Sequence, residues 1–348
     1  MTLSCKREEM IRVKVSGGKS ELSGLLLRQT PGGNGIWGNC QFFVNKPVES
    51  CDWWIVCHGS GLLKPESVLC DPEHIVYVSM EPSEKIGCIS NGFMQQFSHL
   101  VLCDRDVHHN NVRYTNGLTW WVGMSMQHEK GSHRFSGKHT LDYDLLMGMT
   151  CPPKVNRISA IVSNKNFLAG HKSRLVFLEE LMKHPVGRYI DLFGGGFNPV
   201  QDKWDVIAPY KYHLVLENTS KQDYWSEKLA DAYLGFSFPF YYGCPNISDY
   251  FPEDSYMPID IGDVRKSADT ILKLIDNDAF DQHLTAINAA RANVLNRYNI
   301  FQIMADTCQV PAEKYIHCSL KPASHFVRYW INQVIRQIQL RVWFMLVP

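Results

Sequence analysis

Apolar positions in this chain fall mostly into unbroken runs of about five residues, separated by polar, glycine-rich or proline-rich breaks. That is the pattern of strands covered on both faces and joined by helices. Runs at 53 to 57 (WWIVC), 74 to 80 (HIVYVSM), 99 to 103 (HLVLC) and 118 to 122 (LTWWV) predict four such strands, after a short alternating strand at 11 to 15 (IRVKV). Between them GGNGIWGN, 32 to 39, lacks the spacing of a phosphate loop and reads as a surface turn. Residues 123 to 153 carry little periodicity, end on Cys151-Pro152-Pro153, and read as loop and linker. A second block follows. A strand at 158 to 163 (ISAIVS) precedes a helix at 171 to 183 with Arg174 in its first turn, and a strand at 188 to 193 (RYIDLF) runs into Gly194-Gly195-Gly196. Beyond residue 250 the pattern predicts a short strand at 257 to 260 and helices at 264 to 276 and 279 to 298.

The most informative stretch is Tyr210 to Gly243, YKYHLVLENTSKQDYWSEKLADAYLGFSFPFYYG. A buried strand, 212 to 216, ends on Glu217 and Asn218. A polar turn offers Ser220 and Asp223 as N-caps, a helix is predicted over 224 to 233, and a second strand runs from 238 to 242. Polar groups at the carboxyl ends of parallel strands line the ligand crevice of such units, which puts Glu217 and Asn218 in a candidate site. Tyr224, Glu227 and Lys228, spaced i, i+3, i+4, would share one helix face near an N-terminus that favours anions. Read as an ordinary helix, the same spacing describes solvated surface charges and a packing tyrosine. In the first block the strand ending Ser79-Met80-Glu81-Pro82 carries a carboxylate at its tip, a candidate general base or a capping group. Asp104 and Asp106 follow the next strand on the same edge.

Composition narrows the partners. The 348 residues suggest two domains, and Lys+Arg and Asp+Glu are 35 each, so there is no basic excess for nucleic acid and an anionic ligand must meet a local pocket. The 11 cysteines show neither CxxC pairs nor zinc-like spacing, and His128, His133 and His139 lack the spacing of a metal site; no metal is expected. With no signal-like or membrane-spanning run, a cytoplasmic protein is expected. The acid-free tail, 321 to 348, sets Arg328, Arg336 and Arg341 among apolar residues. It reads either as a basic amphipathic helix on an anionic membrane surface or as a helix closing over the domains.

Two α/β blocks joined by an irregular linker suggest a GT-B architecture, two Rossmann-like domains facing a crevice, divided as 1 to 153 and 154 to 320. The segment KYHLVLENTSKQDYWSEKLADAYLGFSFPFYYGCPNISDYFP resembles the donor-binding signature of the α1,3-fucosyltransferases, glycosyltransferase family 10. YVSMEPS (77 to 83) is similar to the family's catalytic-base strand, and SNKNFLAGHKSRLVFLEEL (163 to 181) to its phosphate-arginine helix; the first 70 residues offer no counterpart. The resemblance implies an inverting transferase of a non-anchored bacterial or viral type, with 1 to 153 as its acceptor side and 154 to 320 as its nucleotide-sugar side. In it Glu81 takes the acceptor proton, Arg174 and Lys228 neutralise the diphosphate, Glu227 accepts from nucleotide or sugar hydroxyls, and Tyr224, Asn218 and Glu217 line the donor. It further implies GDP-β-L-fucose as donor, a glycan hydroxyl as acceptor, no obligatory cofactor or metal, and domain closure to assemble the site. The alternatives are a same-fold transferase using another nucleotide sugar, or a non-catalytic sugar-nucleotide or glycan-binding module.

Overall fold

The computed structural model describes residues 10–17, 23–57, 62–81, 91–117, 119–129, 132–162 and 169–326. It divides into two compact units, Met1–Thr115 with Ile300–Pro348, and Asn116–Asn299.

In the first unit, strands β1 (Ile11–Ser16), β2 (Ile36–Trp37), β3 (Cys40–Val44), β4 (Trp53–Cys57), β5 (Glu66–Cys70), β6 (Ile75–Ser79), β7 (His99–Leu102) and β8 (Val112–Tyr114) accompany short helices α1 (Ser23–Leu27) and α2 (Asn91–Met94). Seven of the strands form one sheet in the order β2-β3-β1-β4-β6-β7-β8, parallel except at the β2/β3 edge. Every residue of β4 and β6 is buried, which accounts for their unbroken apolar runs. Trp54, Tyr77, Phe93, Phe97 and Leu100 fill the core beside them.

The second unit holds β9 (Met124–Glu129), β10 (Ser132–His139), α3 (Tyr143–Gly148), β11 (Val155–Ile161), α4 (Ala169–Lys183), β12 (Ile190–Phe193), α5 (Trp204–Ile207), β13 (Tyr210–Leu216), α6 (Glu227–Leu234), β14 (Phe238–Tyr242), β15 (Met257–Pro258), α7 (Val264–Asp276) and α8 (Phe280–Ala292). Its main sheet is wholly parallel, in the order β12-β11-β13-β14-β15. Alternate residues of β13 feed two cores, Tyr212, Leu214 and Leu216 toward α4 and α7, and Val215 toward α6 and α8.

The chain is thus α/β with two Rossmann-like halves, as expected. Four local expectations are corrected. Residues 119 to 121 form no strand; Trp120 and Val122 are buried as irregular backbone because the Asp231 carboxylate accepts from the Trp121 and Val122 N–H groups at 2.8 and 3.1 Å. The stretch read as linker, 123 to 153, contains the β9/β10 antiparallel hairpin and α3, capped by Asp142. The helix expected to run to 298 ends at Ala292 and continues as a π turn, Asn293–Arg297. Finally, the compact units divide at 115/116 and 299/300 instead of 153/154 and 320/321, because the chain after Ile300 returns to the first unit. There β16 (Ile316–Leu320) pairs with β5, and the Trp53 indole N–H donates to the Val310 carbonyl at 2.7 Å. Of the proposed tail helix, residues 327 to 348 lie outside the described residues; Ala323–His325 forms one 3-10 turn.

Candidate functional site

The strand order of the second unit, taken in chain sequence, is 2-1-3-4-5. Its order reverses between β11 and β13, and ligands of open parallel sheets bind outside the carboxyl ends of the strands at such a switch point. The connection after β11 leads to α4 and Arg174; the connection after β13 leads to Glu217, Asn218 and α6. Both sets of candidate residues therefore converge on one crevice edge.

Glu217 organises this edge. Its main chain extends the sheet by donating to Tyr242 O at 2.9 Å, and its fully buried carboxylate accepts from Ser226 N and Ser226 Oγ, each at 2.7 Å, and from Lys228 Nζ at 3.3 Å. Both oxygens are engaged within the protein, so Glu217 supports the start of α6 and the Lys228 ammonium from beneath. Gly243 packs so close that an added Cβ would stand 2.6 Å from Glu217 Cγ and 2.5 Å from Tyr241 Oη.

The helix begins three residues later than the apolar pattern suggested. Ser226 is the N-cap of α6, its hydroxyl accepting from Lys228 N. Neither Ser220 nor Asp223 caps it: Ser220 Oγ donates to Gly243 O at 2.7 Å, and Asp223 sits in the left-handed region (φ 61). Asp223 is held there by Asn246, which pairs with its N–H and its carboxylate, and by the Tyr250 hydroxyl at 2.8 Å. Asn116 Nδ2 adds bonds to the Asp223 and Trp225 carbonyls at 3.1 and 2.7 Å. The turn from 218 to 226 is thus a clamped loop. Tyr224 lies in it, buried and ahead of the helix, so it does not share a helical face with Glu227 and Lys228.

Arg174 comes from α4 to the same place. It is 4% exposed, its Nη1 donates to Leu216 O at 3.0 Å, and its Nε is buried without a hydrogen-bond partner among the described residues. Burial pulls the guanidinium pKa down, opposed by Glu217, Tyr224 and Glu227, which places all three near it. For Lys228 burial also works against the charge, but Glu217 and Glu227 outweigh it and hold the ammonium up at about 12 against the opposing Arg174. Two cations that stay charged, one with an orphaned buried N–H, suit a di-anionic group such as a diphosphate.

Glu227 Oε1 lies 3.5 Å from Lys228 Nζ and 3.9 Å from Lys203 Nζ. Lys203, which the sequence did not single out, pairs with the fully buried Asp231 at 2.7 Å. Asn218 is half-buried at the tip of β13 and makes no hydrogen bond with another described residue. Glu81 belongs to the first unit, half-buried just past the carboxyl end of β6, with its N–H donating to Ser79 Oγ at 3.4 Å. Asp104, also in that unit, is buried and accepts from Asp106 N. Among the described residues no cluster of three or more His, Cys, Asp or Glu side chains could hold a metal ion, and no helix is long and apolar enough to cross a membrane.

A parallel 2-1-3-4-5 sheet with a basic, partly unsatisfied edge at its switch point defines an α/β unit of the nucleotide-binding kind. Residues 151–315 match the family model described as glycosyltransferase family 10 (fucosyltransferase) C-term. The match covers a little under half of the chain, and it is a similarity to glycosyltransferase family 10 over this stretch. Among similar proteins, a fucosyltransferase-like protein of Arabidopsis thaliana is 34% identical over 127 residues, 34% of this chain, and the alpha-(1,3)-fucosyltransferase FucT of Helicobacter pylori is 34% identical over 64 residues, 18% of this chain. The matched stretches span only 23% and 13% of those relatives' own lengths. A solved alpha1,3-fucosyltransferase with GDP is similar over 86% of this chain and 94% of its own, at 16% identity and a TM-score of 0.48.

Proposed function

We propose that this protein is an inverting glycosyltransferase that moves L-fucose from GDP-β-L-fucose to a hydroxyl of a glycan acceptor, without an obligatory metal. The observation that carries the reading is Arg174 Nε, buried and without a hydrogen-bond partner among the described residues, beside Lys228 at the switch point of the parallel sheet. A leaving diphosphate supplies an acceptor for Arg174 Nε, and the two cations stabilise the charge that develops as the glycosidic bond breaks. Glu227, Asn218 and Tyr224 complete the donor side, with Glu217 holding Lys228 in place. The family-model match and the relatives' names favour fucose as the sugar and GDP as the nucleotide.

Glu81 is the general base in this account, since an alcohol must lose its proton as it attacks the anomeric carbon. Its place past the carboxyl end of a buried parallel strand supports that role. Replacing Glu81 with Gln is expected to abolish acceptor-dependent GDP release while GDP-fucose still binds. Loss of donor binding in that variant would remove Glu81 from the role of base. The charge pattern of the tail adds a membrane-surface contact on the cytoplasmic side to the reading, checked by vesicle co-sedimentation with anionic lipid.

A further inference from the structure

The edge of the site contains a third cation whose position is set by the fold itself. Lys203 stands at the start of α5 and is 6% exposed; its ammonium lies 4.6 Å from the centroid of the Trp121 ring. Its main partner, Asp231, cannot move: it is fully buried, accepts from Trp121 N and Val122 N, and receives Lys203 Nζ at 2.7 Å. Glu227 and Asp231 are i and i+4 on α6, where like charges repel across one turn. Lys203 sits between them, and its 3.9 Å approach is to Oε1 of Glu227, the same oxygen that Lys228 approaches at 3.5 Å. One oxygen of Glu227 therefore lies between two ammoniums, which favours the carboxylate orientation that keeps Oε1 there.

We infer that Lys203 is a positioning residue for the donor site, sharing its charge between the immobile Asp231 and Glu227 so that Glu227 keeps one orientation toward the hydroxyls of a bound nucleotide sugar. This rests on the nucleotide-sugar reading of the site. Lys203 itself does not touch the ligand in this account; it acts through Glu227.

The test is a double-mutant cycle read by calorimetric titration with GDP-fucose in wild type, Lys203→Met, Glu227→Gln and the double variant. Lys203→Met is expected to weaken binding about tenfold when Glu227 is present and less than about twofold in the Glu227→Gln background. Lys203→Arg, which keeps the charge, is expected to restore binding to within about threefold of wild type. Because Lys203→Met leaves a buried carboxylate unpaired, the pair Lys203→Met/Asp231→Asn is made as well, with and without Glu227→Gln; it removes both charges, folds, and should bind as weakly as Lys203→Met does. Equal losses with and without the Glu227 carboxylate, or wild-type binding by the Lys203→Met/Asp231→Asn variant, would overturn the inference alone. A wild-type protein that takes up no GDP-fucose overturns the nucleotide-sugar reading, and this inference with it.

Discussion

Replacing Lys228 with Met separates what the ammonium does for the fold from what it does for a ligand. Its 3.3 Å contact with Glu217 corresponds to about 5 kcal/mol of gross attraction at an effective dielectric near 20, from which desolvation must be subtracted. Proton linkage gives a second route to the magnitude. A pKa held up from 10.5 to about 12 corresponds to about 2 kcal/mol, present in full below pH 10.5 and lost as pH rises through 12. Removing one member of a buried pair costs about 3–5 kcal/mol because the other is left uncompensated, so a loss of about 3 kcal/mol is expected. For a unit of this size that lowers the Tm by about 6–12 °C. Pairing the change with Glu217→Gln removes the orphaned carboxylate and should recover most of the lost Tm. It should not recover GDP affinity, which falls about ten- to a hundredfold in either variant because the charge-assisted bond to phosphate is gone. Thermal unfolding and GDP titration on the single and double variants decide it. An unchanged Tm in Lys228→Met, or a double variant that loses the sum of the two single effects, refutes the account of this buried network.

Other consequences follow from neighbouring groups. His213 is buried against Ser159 Oγ at 2.7 Å, and burial first, then Lys203 and Lys154, push its pKa down to about 3 from the usual 6.5. The unfolded chain therefore binds the extra proton between pH 6.5 and 3, so this contribution to stability is intact above 6.5 and lost as pH falls, about 2 kcal/mol by pH 5. Unfolding scans at pH 7 and 5 should show that drop in wild type and a smaller one in His213→Gln; equal drops contradict it. Gly243→Ala forces a methyl against Glu217 Cγ and Tyr241 Oη and should cost about 1–3 kcal/mol by denaturant titration, together with weaker GDP binding. Arg174→Lys keeps the charge but loses the guanidinium fork, and GDP affinity should fall about tenfold with little change in Tm.

What was legible in the sequence was the part written in short-range patterns. Continuous apolar runs located β4, β6, β7 and β13 because strands buried on both faces have no polar face to alternate with. The same rule misread Trp120 and Val122, whose burial comes from a side chain more than a hundred residues away, Asp231, satisfying irregular backbone. The β9/β10 hairpin was missed because its residues alternate weakly and carry many polar groups. The return of the chain after Ile300 had no local signal, since its partners, such as Trp53 for Val310, are 257 residues distant. At the site, spacing put Glu217 at the tip of β13 and Glu227 and Lys228 on the helix after it, the family resemblance added Arg174, and the fold brings the four side chains near one another. The start of α6 was misplaced because the Asp223 turn depends on Asn246 and Tyr250, further along the chain. Lys203 was overlooked for the same reason: nothing in its immediate sequence marks it, and only the fold carries it to Glu227 and Asp231.

The most direct test of the central claim is calorimetric titration of the purified protein with GDP, UDP and CDP in parallel. The account predicts saturable binding of one GDP per chain, at least about tenfold tighter than UDP or CDP and lost in Arg174→Ala. No binding of GDP, or equal binding of all three that persists in Arg174→Ala, would contradict it.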